Sequence, residues 1–404
     1  MPVNKTQQAT LIKGLLYFFL MNLKYIVAIL MIIIVGLGGY SVYMIGYSSS
    51  LNSQLNEARS YQNSIATNYG LVPVTITLAT KSASASPSAV SSYIFRTARA
   101  GILIPKGPAN YTIIMDAFQP YANVTSGTFT YMVGTLEGVP VVMNIEQLGG
   151  IASRSLNAEM MAALFNLTMM IYPGTSGAHL PPSEMQIGDI VIGTRLVDFG
   201  NFYMSPNGSL YAGEFTGVSS LGNFIYLYSN PTLVKIASIA ATKVVGATTV
   251  PAWVNNGTAP YHPKVFYFGT QGSSDMWLTN LTFINATVKV FHEIDEDGDY
   301  PSALAATLTT SHPIPFIEVS TISDSAFEYF TNRGIPPTPH GSMSASVIAQ
   351  SESDYVLLSM LQIMHQNNIV TVPSYSPTQS YFPLQWYNTP TNPQTLLDNS
   401  SLPL

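Results

Sequence analysis

Between Arg99 and Asp324 the chain repeats one pattern: a short apolar, β-branched run, a stretch with helical spacing, then another run. "RAGILIP" opens the series at 99, and "TYMVGTLEGVPVVMNIE" places two strands around a Glu-Gly turn, a hairpin signal. "SRSLNAEMMAALFN" has helical spacing, and "LTMMIYPGTSGA" reads as a strand running into a glycine-rich turn. "GDIVIGTRLVDFG", "PTLVKIASIAATKV", "KVFYFGTQGSSDMW", "YPSALAATLTTS" and "PFIEVSTISD" then continue as strand, helix, strand, helix, strand. Strands alternating with helical stretches favour an α/β domain around a parallel or mixed sheet.

The chain has 404 residues, of which 47% are hydrophobic and only 9% charged, with a net charge of −6. So sparse a charge argues against nucleic-acid binding, which needs clustered Lys and Arg. With no cysteine, thiolate chemistry, disulfides and Cys-ligated metal are excluded. Residues 25–47, "YIVAILMIIIVGLGGYSVYMIGY", carry no charge and are long enough to cross a bilayer as a helix. Lys5, Lys13 and Lys24 precede them and no charge follows until Glu57, which predicts a cytoplasmic N-terminus and an extracellular remainder. A cleaved signal peptide or a buried core helix is the competing reading. The apolar run exceeds a usual signal core, and Gly46-Tyr47-Ser48 is a poor cleavage site.

These features divide the chain into a basic cytoplasmic segment (1–24), a transmembrane helix (25–47), a stalk and linker (48–98), a globular domain (99–370) and a Pro/Thr/Tyr-rich tail (371–404). "KSASASPSAVSS", 81–92, reads as linker. Eight N-x-S/T triplets begin at Asn110, Asn123, Asn166, Asn207, Asn256, Asn280, Asn285 and Asn399, all on the expected outer side, and suit a glycosylated surface protein.

"PFIEVSTISDSAF" ends a buried-looking strand on Ser323-Asp324. A cap or turn aspartate explains most such residues. The alternative is a ligand-facing acid, because open α/β sheets bind ligands beyond the carboxyl ends of their strands. "DEDGDY" places Asp295, Asp297 and Asp299 at the first, third and fifth positions of a calcium loop. Tyr300 stands where that loop needs glycine and Ala306 where it needs a bidentate glutamate, so no metal is expected. No zinc-protease, phosphate-loop or nucleophile-elbow pattern occurs.

Four stretches in order, "GTLEGVPVVMNIEQLGGIASRSLNAEM", "MIYPGTSGAHLPPSEMQIGDIVIGTRLVDFG", "FGTQGSSDMW" and "PFIEVSTISD", resemble the nucleoside phosphorylase and nucleosidase superfamily, including the methylthioadenosine/S-adenosylhomocysteine nucleosidases. The resemblance covers roughly 99–370. It implies a three-layer α/β/α fold with a mixed central sheet, here preceded by one N-terminal transmembrane helix. The implied partner is a purine nucleoside, without a cofactor, in homo-oligomers that place sites near subunit interfaces.

The resemblance gives Asp324, with Ser323 beside it, the role of protonating or hydrogen-bonding purine N7. Glu296, a few residues before Ala303-Leu304, matches the ribose-binding acid of a more distant, permease-like branch. An ungapped count from Asp324 puts Pro301 at the nucleosidases' glutamate instead. Met276 or Trp277 would stack on the base, though a Met-Trp core pair explains them equally. Gly149, Gly150, Gly174 and Gly177 would admit the sugar or an anion, although a glycine in a turn needs no ligand to explain it. Tyr172-Pro173 replaces the phosphorylases' arginine, leaving Arg154 as the nearby cation, and "ILIPKGPAN" lacks the nucleosidases' water-orienting glutamate. A binding module or a structural surface protein on the same scaffold therefore competes with an enzyme.

Overall fold

The computed structural model describes residues 74–78, 87–105, 112–146, 150–198, 202–207, 210–212, 226–255, 258–276, 278–296, 298–308, 313–327, 345–379 and 381. The basic segment and the apolar span of 25–47 lie outside them. Among the described residues no helix is long and apolar enough to cross a membrane. The chain forms two compact units, one of Met1–Val74 with Ser82–Arg96, the other of Thr75–Lys81 with Thr97–Leu404. In the first, α1 (Pro87–Arg96) turns the second half of the expected linker into helix, with Val90 and Ile94 buried one turn apart. The Ser/Ala-rich composition that reads as linker is compatible with helix once an apolar pair falls at helical spacing.

The second unit is built on a mixed sheet, eleven-stranded among the described residues. It begins earlier than residue 99, because β1 (Val74–Leu78) adds to its edge. After β2 (Arg99–Ile104) and α2 (Thr112–Ala117) come three antiparallel strands, β3 (Phe118–Ser126), β4 (Phe129–Leu136) and β5 (Val139–Ile145). The β4–β5 turn carries positive φ at both Glu137 (51°) and Gly138 (78°), the primed-turn twist that suits a two-residue hairpin. Next are α3 (Ile151–Leu164), β6 (Leu167–Ala178), β7 (Ile190–Asp198), β8 (Phe202–Met204), β9 (Leu210–Ala212), β10 (Tyr226–Tyr228) and α4 (Pro231–Val245). The chain continues through β11 (Val265–Ser273), α5 (Leu281–Phe291), the two-residue β12 (Asp295–Glu296), α6 (Tyr300–Leu308), β13 (Phe316–Ser325) and α7 (Ala345–Gln366).

Alternation within the strands assigns the helices to faces. Ala100, Ile102 and Ile104 of β2 join α2, α4 and α7 in the largest apolar core. The opposite face of β2 meets α3, where Met161 Sδ lies 3.0 Å from the position a side chain on Gly101 would take. Burial on both faces explains why β6 and β13 lack the apolar/polar alternation of a half-exposed strand. Of the expected tail only 371–379 and 381 are described; they form no helix or strand, and their start is tied down: the Tyr228 N–H donates to the Pro377 carbonyl at 2.7 Å, and Asn230 Nδ2 to that of Pro373 at 2.9 Å.

Part of the sheet closes on itself. β13 runs parallel to β6 and antiparallel to β7, β7 parallel to β11, β11 parallel to β12, and β12 antiparallel to β6. The five strands form a circuit, and its seam at the end of β6 is where the candidate site lies.

Candidate functional site

Gly177, near the end of β6, is the register partner of two carboxylates at once. Asp324 of β13 sits opposite it on one side and Glu296 of β12 on the other. Asp324 reaches this position through a bulge: Ile322 pairs with Ser176 and Asp324 with Gly177, leaving Ser323 as the extra residue. Bulges re-aim side chains in this way beside functional clefts. A Cβ on Gly177 would stand 3.3 Å from Asp324 Oδ2 and 3.6 Å from Glu296 Cγ. The glycine is thus the floor of a notch with a carboxyl group on each wall.

Ser323 Oγ lies 2.7 Å from Asp324 Oδ1 and 3.2 Å from the Ser176 carbonyl. A hydroxyl has one proton to donate and can also accept. It donates to Asp324 when that group is ionised. When Asp324 is protonated, Ser323 accepts from it and donates to the Ser176 carbonyl, so both protonation states are satisfied.

Glu296 Oε1 accepts from the Leu278 N–H at 3.1 Å, and its Oε2 lies 3.7 Å from His179 Nε2. Burial lifts its pKa to about 8; the His179 charge and the Leu278 N–H pull it down, while Glu293 and Asp324 push it up. Burial thus favours the protonated form of Glu296 near neutral pH. His179 itself is wholly buried, with Nδ1 2.8 Å from both oxygens of Glu293. Burial disfavours its charge, but Glu293, Glu296 and Asp295 outweigh that and raise its pKa to about 9. Asp295 points the other way, accepting from Ser176 Oγ at 2.6 Å and Gln271 Nε2 at 3.3 Å. Burial raises it to about 7 against those two hydrogen bonds.

The acidic run is therefore not a solvated loop. Asp295 and Asp299 are fully buried, and Asp299 Oδ1 accepts from the Ser302 N–H in the first turn of α6. Pro301, the ungapped match to a ribose-binding glutamate, lies inside α6, whereas Glu296 stands at the notch. The sequence singles out Asp295 only as a calcium-loop position and leaves His179 and Glu293 unmarked, because a short acidic run usually marks a solvent-facing loop.

The other sequence candidates fall around this centre. Gly150, with φ 94°, precedes α3, and the following Ile151 N–H donates to Asp275 Oδ1 at 2.8 Å. That aspartate joins the start of α3 to the 273–278 loop, the same loop whose Leu278 holds Glu296. Met276 on this loop is 46% exposed, so it is not core; Trp277, Gly149 and Asp297 lie outside the described residues. Arg154 Nε lies 3.5 Å from Glu146 Oε2, with Cζ 5.6 Å over the Tyr172 ring, and Gly174 packs against that same ring. The Arg154 charge is thus matched by Glu146 beside the Tyr172 ring. Asn123, Asn166, Asn207, Asn280 and Asn285 are all exposed, while Asn110, Asn256 and Asn399 lie outside the described residues. Among the described residues no group of three His, Asp or Glu side chains is placed to hold a metal ion.

No protein-family model matches the chain, and no curated protein matches it. Among solved structures it is similar to the 5'-methylthioadenosine/S-adenosylhomocysteine nucleosidase of Neisseria meningitidis in complex with methylthio-immucillin-A, at 16% identity over 66% of this chain and 99% of that one, with a TM-score of 0.47. It is similar to the futalosine hydrolase of Helicobacter pylori at 15% identity, over 66% and 98%, with a TM-score of 0.47. A nucleosidase of Colwellia psychrerythraea in complex with adenine aligns at 16% identity over 66% and 96%, with a TM-score of 0.48.

Proposed function

We propose that this protein is a membrane-anchored, extracellular purine nucleosidase that hydrolyses the N-glycosidic bond of nucleosides. The observation that carries the proposal is the notch at Gly177, where Asp324 and Glu296 converge from two strands. Cleaving that bond leaves its electron pair on the base and positive charge on the sugar, so an acid on one side and a sugar-holding group on the other are what the step requires.

In this reading Asp324 gives its proton to purine N7 as the C1'–N9 bond breaks. Ser323 accommodates the aspartate before and after the transfer. Water adds its oxygen to C1' and releases its proton to solvent. Glu296 receives the ribose hydroxyls. Hydrogen bonds donated to a carboxylate favour its charged form, so riboside binding would oppose the effect of burial and favour loss of the Glu296 proton.

Hydrolysis is favoured over phosphorolysis because Tyr172 stands at the arginine position and the Arg154 charge is matched by Glu146. The same feature favours, as a second reading, a module that binds nucleosides without cleaving them. The test is incubation of the purified protein with inosine, adenosine and methylthioadenosine, with and without phosphate. Base release unaffected by phosphate, with free ribose as the co-product of inosine and adenosine, is expected. Ribose-1-phosphate as the main product would overturn the hydrolase reading, and binding without base release would favour the module.

A further inference from the structure

We propose that His179 is a positioning residue for this site: its ring, held from behind by Glu293, faces the Glu296 carboxyl and sets how readily that carboxyl ionises. The inference rests on Glu296 being the sugar-holding group, but its physical core does not depend on catalysis. His179 follows β6 directly, and its backbone N–H donates to the Ile294 carbonyl at 2.9 Å, which ties the histidine to the residue between the two glutamates. Its ring has Nδ1 2.8 Å from both oxygens of Glu293 and Nε2 3.7 Å from Glu296 Oε2.

Glu293 is held in turn by the Thr287 hydroxyl of α5, which donates to its Oε1 at 2.5 Å. The ring is therefore oriented from behind by a fully buried carboxylate and presents its other nitrogen toward the notch. The titratable groups acting on the ring are Glu293, Glu296 and Asp295, and those acting on Glu296 are His179, Glu293 and Asp324. A cation at this place opposes the effect of burial on Glu296. Nearly isosteric neutral replacement would leave the carboxyl harder to ionise, and so a poorer acceptor for ribose hydroxyls.

The experiment is an NMR titration of the full chain in detergent, following the imidazole nitrogens of His179 and the carboxyl carbon of Glu296 between pH 5 and 10. Wild type should show His179 charged at pH 7.5 and losing its proton near pH 9. His179→Gln should move the Glu296 midpoint upward by about one pH unit or more, consistent with loss of a buried charge a few ångströms away. It should also raise KM for a riboside more than for its 2'-deoxy analogue while leaving kcat less affected.

A His179 midpoint at or below 6.5 in wild type overturns the proposal whether or not the variant folds. So does a Glu296 midpoint unmoved in His179→Gln. If both titrations behave as expected but no nucleoside is cleaved, the positioning role stands and the hydrolase reading falls.

Discussion

Replacing Gly177 by alanine probes the notch without touching either carboxylate. The φ of Gly177 lies outside the left-handed region, so alanine adds no backbone strain, and the new methyl would sit 3.3 Å from Asp324 Oδ2 and 3.6 Å from Glu296 Cγ. The second distance is ordinary contact; the first asks Asp324 to yield by a few tenths of an ångström. The lost chain entropy of glycine in the unfolded state offsets that crowding by about 0.4–1 kcal/mol, so the melting temperature should hardly change. Substrate placement should suffer: about 1 Å at a reacting centre costs up to roughly 100-fold in rate, so a shift of a few tenths of an ångström should cost roughly several-fold. Base release and thermal melting measured on one sample of Gly177→Ala separate the two effects. Wild-type cleavage by a folded Gly177→Ala protein would refute the claim that the two carboxylates work across this glycine. A large loss of stability would show instead that the steric reckoning is wrong.

Three further outcomes can be measured. Glu352 of α7 is buried with its pKa lifted to about 8, so the native state holds a proton the unfolded state releases above about pH 4.5; stability is greatest at acid pH and falls as pH rises toward 8, by about 4 kcal/mol for this group alone. Melting temperatures between pH 5 and 8 check this: Glu352→Gln should flatten the fall, and a flat wild-type profile would contradict it. Glu296→Gln should weaken binding of ribosides more than of 2'-deoxyribosides, read by calorimetry with each ligand. The proposed anchor predicts that protease added to intact cells removes the domain while residues 1–24 stay protected, as their lysines flank the apolar span on one side only; release of the intact protein by a high-salt wash would count against it.

The strands and helices with strong periodicity were legible in the chain itself. The strand in "LTMMIYPGTSGA" was legible, but its expected glycine-rich turn is the continuation of β6; the Glu137-Gly138 turn, α4 and β13 follow from their residues. Asp324 at a strand tip was legible too, but the bulge that aims it was not, since it depends on pairing with β6. Glu296 could be picked only by its spacing to Ala303-Leu304, because β12 is two residues long and gives no periodic signal. The long helix α7 is hidden by Gln350, Glu352, Ser353 and Asp354, polar residues that it buries. Ser353 shows why: its hydroxyl lies 2.6 Å from the Gly174 carbonyl and 2.8 Å from Thr321 Oγ1, partners brought together only by the fold. The pairing of His179 with Glu293 and Glu296 is long-range in the same sense, with His179 and Glu293 114 positions apart.

The most direct test of the account is Asp324→Asn, with activity and melting temperature read from the same preparation. Asparagine is nearly isosteric and still hydrogen-bonds, but it has no proton to deliver to a leaving base. Cleavage should fall by about 10²–10⁴-fold, the usual worth of a general acid, while purine nucleoside binding weakens far less and the melting temperature stays near wild type. If the aspartate served only its own turn, truncation to alanine would instead cost about 0.5–2 kcal/mol of stability with turnover per folded molecule unchanged. Full activity in a folded Asp324→Asn protein would contradict the claim that this strand tip carries the chemistry.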